Sequence, residues 1–314
     1  MKIGLLFSGQ GAQQVGMGAD LYANVPEYQQ VIDRASQVLG YDLAQLTAED
    51  EQKLAQTQYV QPAILAMSTG IITALGDTLP KPIAGLGLSL GEYSALTAAG
   101  VMDYEQAVAI IKDRGAYMQA VGNANPGKMV AIMGDDQALI EGVLEKLQSQ
   151  GKRVYAANYN TFAQLVIGGI AEDVDETVTA LTEAGIKRTV ALPVSGAFHT
   201  PLLQEAADQL GERIADETFH EMTFPIYSNT TSDVFDIDQL HDVLTRQLMS
   251  PTYFAQALQK MLDAGVDTLI EVGPSSTLIK FAKKIAPKTV KRYAITDLES
   301  FNEVKALLTS EEEV

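Results

Sequence analysis

Pro82-Ile83-Ala84-Gly85-Leu86-Gly87-Leu88-Ser89-Leu90-Gly91 runs from a short apolar stretch into a serine set between glycines. Pro82 to Leu86 has the length and polarity of a buried strand. Glu92 to Ala99 is rich in helix formers and stops at Gly100. A Gly-x-Ser-x-Gly string at a strand-to-helix turn is the layout of a nucleophile elbow. Glycines let the chain bend sharply, leave the serine hydroxyl exposed in a strained turn, and aim the next helix's first amides at the reacting atom. Such strings also arise by chance, so the reading needs a base, oxyanion donors and a substrate-binding group elsewhere in the chain.

Outward from the elbow, helix-like and strand-like segments alternate, which favours an α/β protein with a largely parallel sheet. Ile3 to Phe7 reads as a first strand, running into Ser8-Gly9-Gln10-Gly11-Ala12-Gln13. Helical patterns follow at 27–39, 48–56 and 61–75. Asp103, with Gln106 placed for a capping box, opens a long helix that passes Arg114 and ends near Val121. Between 126 and 194 the order becomes strand (128–134), helix (135–149), strand (154–158), strand (165–169), helix (171–184), strand (188–192), which is the ferredoxin-like βαββαβ unit. Helix 202–215, strand 224–228, a long helix 237–264 and strand 268–272 complete the chain. The expected architecture is a large α/β-hydrolase-like domain over residues 1–125 and 195–314, with a mainly parallel sheet, and an inserted ferredoxin-like subdomain over 126–194.

At 314 residues, 46% of them hydrophobic, the chain can bury a sizeable core. No uninterrupted apolar run approaches the roughly 18 residues of a membrane helix, and Lys2 with its five-residue apolar run makes a poor signal peptide. No cysteine is present, which removes disulfides and thiolate chemistry, and a cytoplasmic location is the default expectation. A net charge of −18 argues against general nucleic-acid binding. Against that trend, Lys280, Lys283, Lys284, Lys288, Lys291 and Arg292 fall in a stretch without an acidic residue. This reads either as a solvated helix face and loop or as a docking patch for an acidic partner or phosphate-bearing substrate. The acidic Glu311-Glu312-Glu313 reads as a frayed, solvated tail.

A serine hydroxyl needs a base to take its proton, and the chain offers three histidines: His199, His220 and His241. His220 and His241 sit in acidic surface contexts. His199 lies in Ser195-Gly196-Ala197-Phe198-His199-Thr200-Pro201, a loop between a strand and a helix, where α/β sites tend to form; it reads as a base or as a structural histidine. The amide of Leu90 is one oxyanion donor candidate. Gly9-Gln10-Gly11 is a second source, or a plain turn. Arg114, on a helix after Ile110 and Ile111, is either exposed, salt-bridged, or a clamp for a substrate carboxylate.

Taken together, these stretches resemble the malonyl-CoA:acyl-carrier-protein transacylase family of fatty-acid synthesis. The likeness runs end to end: Phe7 to Gln13, Thr57-Gln58-Tyr59-Val60-Gln61-Pro62-Ala63, Gly87 to Leu96, Arg114, Asn158-Tyr159-Asn160, Ala197-Phe198-His199, Ser228-Asn229, Arg246-Gln247-Leu248 and Glu271-Val272-Gly273-Pro274. The resemblance implies Ser89 as the nucleophile that carries a malonyl ester and His199 as its base and later acid. It implies a Gln247 carbonyl that orients the imidazole, and Gln10 and Leu90 amides as the oxyanion hole. Arg114 would clamp the malonyl carboxylate, with Gln61, Asn158 and Asn160 as cleft residues, and Phe198 would crowd out an α-methyl group. One departure stands at Leu88, where this family commonly has histidine.

The implied reaction is ping-pong transfer to the phosphopantetheine thiol of an acyl carrier protein. It calls for no metal and no bound cofactor, since the CoA thioester is a substrate, and for no nucleic-acid or membrane partner; a monomer is expected. Two rivals remain. A serine esterase would place a histidine near the C-terminus, and none follows His241. A non-catalytic thioester-binding module would not need Ser89, His199 and Arg114 together.

Overall fold

The computed structural model describes residues 1–194 and 196–312. Among them the strands are β1 (Ile3–Phe7), β2 (Ala84–Gly87), β3 (Gly127–Met133), β4 (Val154–Thr161), β5 (Gln164–Ile170), β6 (Arg188–Ala191), β7 (Ile226–Tyr227), β8 (Thr268–Val272) and β9 (Lys291–Ile295). The larger sheet has the order β7-β2-β1-β8-β9, and every neighbouring pair in it is parallel. Both faces are covered. In β1, Leu5 and Phe7 enter one hydrophobic core and Leu6 the other, so the strand reads as an unbroken apolar run rather than an alternation. The central pairing of β1 with β2 and β8 brings their C-terminal ends together, and ligands bind at that edge of open α/β sheets.

The helix Thr57–Leu75 packs in the larger core. By length and apolarity it is the one helix among the described residues that could cross a bilayer, yet 72% of its most apolar window is buried inside the protein. Its composition is that of a core helix. The helix begins four residues before the expected position 61, which leaves Pro62 inside it. The early start is held by Gln119 Oε1, which accepts the Thr57 N–H at 2.8 Å, one of the amides a helix's first turn leaves without a partner.

Strands β3 to β6 form a separate antiparallel sheet in the order β4-β5-β3-β6, the ferredoxin-like arrangement. Helices Gln137–Ser149 and Ala171–Glu183 cover one face through Ile140, Leu144, Val174 and Leu181. The other face gives Met129, Ala131, Ala157 and Val166 to the core shared with the large domain. Two contacts tie the subdomain down. Gly127 approaches Ala197 so closely that a β-carbon on it would sit 2.6 Å from the Ala197 nitrogen. Further along, Tyr159 N–H donates to the Thr252 carbonyl at 2.7 Å, and Thr252 N–H to the Ala157 carbonyl at 2.9 Å.

Several expected elements differ. The helix expected at 48–56 is two short ones, Leu43–Glu49 and Glu51–Leu54, because Asp42 and Asp50 each cap a new start by accepting the N–H three residues on. The strand expected at 224–228 shrinks to β7, since the chain turns at Ser228, whose N–H donates to the Asp233 carbonyl at 2.8 Å. The single helix expected over 237–264 breaks into a short 3₁₀ turn, Leu240–Arg246 and Phe254–Asp263; Pro251 disfavours helix at Ser250 and cannot donate within one. β9 and the helices Ala19–Asn24 and Leu298–Glu312 add to the expected elements, and the helix Thr277–Ile285 carries the first lysines of the basic stretch. Ser195 and Glu313, within the expected site loop and the acidic tail, lie outside the described residues.

Candidate active site

The elbow forms where β2 ends and the helix Gly91–Ala98 begins. Its glycines are needed for close approach. A β-carbon on Gly87 would lie 1.9 Å from the Gly91 carbonyl carbon, and one on Gly91 would lie 2.2 Å from the Phe7 carbonyl oxygen. Ser89 itself takes the positive φ, +55°, a conformation that costs a non-glycine residue on the order of 1–3 kcal/mol. Its backbone is held from both sides: the N–H donates to Asn229 Oδ1 at 3.0 Å and the carbonyl accepts from Gln247 Nε2 at 3.0 Å.

Ser89 Oγ lies 2.8 Å from His199 Nε2. On the far side of the ring, Nδ1 is 2.9 Å from the Gln247 carbonyl. A carbonyl can only accept, so Nδ1 carries the hydrogen, and in the neutral ring Nε2 is then free to accept the serine proton. Burial pulls the His199 pKa down to about 4, with the nearby Arg114 charge acting in the same direction. The ring is therefore a neutral base at physiological pH. The break at 247–253 makes this possible: Gln247 and Leu248 lie just past a helix end, where carbonyls lack helical partners, and they receive the His199 ring and the His199 N–H (3.1 Å) respectively.

Arg114 is fully buried and forms no ion pair with a carboxylate among the described residues. Its Nη1 donates to Gln61 Oε1 at 2.6 Å; its Nη2 donates to Gln247 Oε1 at 2.9 Å and to Ser89 Oγ at 3.2 Å. The Tyr93 ring lies 5.4 Å from the guanidinium carbon. Nε has no partner among the described residues. The alternatives of an exposed or salt-bridged arginine thus fall away. Gln61 Nε2 continues the chain to Gln10 Oε1 at 3.2 Å, and Gln10 Nε2 to Thr57 Oγ1 at 3.1 Å.

A cavity of about 700 Å³ opens onto Ser89 and His199, between the large domain and the subdomain. Gln10, Gln61, Leu88, Asn158, Asn160 and Phe198 all line it, as do Leu278 and Phe281 from the helix Thr277–Ile285. Leu90 is buried at the start of the elbow helix. Neither the Leu90 nor the Gln10 N–H has a hydrogen-bond partner among the described residues. The loop bearing Gln10 rests on the elbow: a β-carbon on Gly9 would meet the Leu88 carbonyl oxygen at 2.5 Å. Asn158 Nδ2 donates to Thr252 Oγ1 at 2.8 Å, whereas Asn160 Oδ1 is buried without a partner among the described residues. His220 is exposed, and His241 sits beside Phe219 with Nε2 at 3.1 Å from the Glu217 carbonyl; both lie outside the cavity.

A profile of the acyl transferase domain family matches residues 5–299. The chain belongs to that family. Over 301 residues this acyltransferase is 36% identical to the malonyl CoA-acyl carrier protein transacylase of Bacillus subtilis (strain 168), covering 95% of each chain. Among solved structures it is similar to one described as MCAT from Streptococcus pneumoniae (TM-score 0.93, 45% identity, 98% of this chain and 100% of that one). It is also similar to a malonyl-transacylase in complex with a type II PKS acyl-carrier protein (TM-score 0.93, 34% identity, 98% and 100%).

Two groups in the acyltransferase site escaped the sequence reading. Glu92 is fully buried behind the elbow, and Asn229, noted only for its resemblance, holds the Ser89 amide. A glutamate in the first turn of a helix reads as a solvated residue favoured by the helix dipole; only contacts from more than a hundred residues away bury it.

Proposed function

We propose that this acyltransferase moves a malonyl group from malonyl-CoA to the phosphopantetheine thiol of an acyl carrier protein, through an ester on Ser89. One observation carries the choice of acyl group: a buried arginine that forms no ion pair with a carboxylate among the described residues lies 3.2 Å from the nucleophilic oxygen. A cation so placed is stabilised by an acyl group that brings its own carboxylate. The names of the relatives support the same reading.

Ser89 Oγ attacks the thioester carbonyl as its proton passes to His199 Nε2. The tetrahedral oxyanion is met by the N–H groups of Gln10 and Leu90. The C–S bond then breaks, and CoA leaves with the proton from His199. The carrier thiol repeats the sequence in reverse. Arg114 holds the malonyl carboxylate, Asn158 and Asn160 contact the thioester arm, and Phe198 limits the space beside the α-carbon. No metal or cofactor is called for.

The basic helix is the proposed docking site for the acidic carrier protein. Lys280, Lys283 and Lys284 are exposed on the helix whose Leu278 and Phe281 line the cavity, and Lys288, Lys291 and Arg292 follow directly. We place the enzyme in the cytoplasm as a monomer.

The test is incubation with radiolabelled malonyl-CoA, then peptide mapping of the label. Label on Ser89, absent in Ser89→Ala, is the expected result; binding without label would favour a non-catalytic module. Arg114→Ala should lose malonyl transfer by at least about a hundredfold and gain relative activity with acetyl-CoA. Retained malonyl preference would refute the clamp.

A further inference from the structure

We infer that Glu92 is a positioning residue that fixes the nucleophile and the carboxylate clamp together through one hydrogen-bonded relay; the inference rests on the malonyl-transfer reading. Glu92 lies in the first turn of the elbow helix and is fully buried. Its two oxygens take different donors: Oε1 accepts the Asn229 N–H, and Oε2 accepts from Gln247 Nε2. Each donor residue also holds Ser89. Asn229 Oδ1 accepts the Ser89 N–H, and Gln247 Nε2 donates to the Ser89 carbonyl, both at 3.0 Å. The remaining atoms of Gln247 reach the rest of the site, with Oε1 on Arg114 at 2.9 Å and the main-chain carbonyl on His199.

Glu92 and the Ser89 carbonyl together set which way round the Gln247 amide sits. Two acceptors, the Glu92 carboxylate and the Ser89 carbonyl, require the NH₂ on their side, which leaves the amide oxygen facing the guanidinium. Reversed, the amide would set donors against a cation. A carboxylate is needed at 92 because both incoming groups are donors. A glutamine there could accept one of them but would turn its own NH₂ toward the other.

No lysine or arginine pairs directly with Glu92 among the described residues. The charged or titratable groups facing it are Arg114, from the helix Tyr104–Ala124 and beyond the Gln247 amide, and Tyr93 beside it on its own helix. The facing groups after β7, Ser228 and Asn229, are neutral. Burial pushes the Glu92 carboxyl up to about 7, against the hydrogen bonds it accepts. A proton entering there removes an acceptor from one of the two donors and loosens the relay.

The experiment measures single-turnover labelling of Ser89 by malonyl-CoA between about pH 5.5 and about 8, with wild type, Glu92→Gln and Glu92→Asp, and thermal melts of each. Wild-type kcat/KM should decline below about pH 7 with a one-proton slope, too high for His199. Glu92→Gln should melt cooperatively yet label on the order of 30-fold more slowly, with that limb gone. Glu92→Asp, which keeps the charge, should recover part of the rate and retain the limb. A flat wild-type profile overturns the inference even if the glutamine variant fails to fold. So does a glutamine variant with the wild-type rate or an unchanged limb. Wild type that never labels Ser89 from malonyl-CoA would overturn the malonyl reading itself, and this inference with it.

Discussion

Ser89 and His199 both hold left-handed backbone, with φ of +55° and +59°. At Ser89 the strain can be isolated. Alanine and glycine both delete the hydroxyl, so their difference reports the backbone alone, and the usual order should reverse: Ser89→Gly is expected to be more stable than Ser89→Ala by about 1 kcal/mol. Chemical denaturation of the two variants measures this; alanine equal or better would mean the elbow is relaxed. His199 supplies a second prediction. Its folded pKa of about 4 lies below the ordinary 6.5, so the unfolded chain takes up the proton first as pH falls. The stability of the neutral buried ring is complete above about 6.5 and lost toward 4. Between pH 7 and pH 5, wild type should lose about 2 kcal/mol relative to His199→Asn. A gap that does not move with pH would show a ring that titrates in the folded enzyme as it does in the unfolded chain. At this scale the sequence displays Ser89 and His199 through glycine spacing and scarcity. It conceals Glu92 and Asn229, whose roles exist only in contacts across the fold.

Elements show what periodicity can and cannot reveal. β1, β2 and β8 are legible as short apolar runs ending in glycine-bearing turns, and the capping box at Asp103 and Gln106 forms as spaced. Over 237–264 the apolar pattern persists across the break, so periodicity alone suggests one helix where Pro251 stops it. That break is where the histidine finds its carbonyl. Helix spacing matters as much as helix ends. Gly115, next to Arg114, lets the helix Tyr104–Ala124 lie against Thr57–Leu75, since a β-carbon there would sit 2.9 Å from the Thr57 carbonyl oxygen. Gly115→Ala should therefore push apart the two helices that hold Arg114 and Gln61. Expected are a lower melting temperature, from about 1–3 kcal/mol of overpacking, and a malonyl kcat/KM reduced by roughly tenfold. Loss of stability with unchanged kinetics would show that Arg114 is placed without help from this contact.

Across the whole molecule, a net charge of −18 must be reconciled with an acidic carrier protein. Long-range repulsion is screened beyond about 8 Å at physiological salt, so the docking proposed above rests on local charge on the helix Thr277–Ile285. Reversing Lys283 and Lys284 to glutamate should lower kcat/KM for the carrier protein at least about tenfold and leave the half-reaction with malonyl-CoA nearly unchanged. Equal effects on both halves, or none, would move the docking site elsewhere. The contact of Gly127 with Ala197 has a different consequence. The chain leaves the large domain and re-enters it at almost one point, so the βαββαβ unit is joined covalently there alone, and packing and the Thr252 hydrogen bonds hold its inner face against the large domain. Such a unit is exchangeable: a subdomain from a relative, spliced between these two positions with its own partner for Thr252, could carry a new thioester preference to an unchanged Ser89.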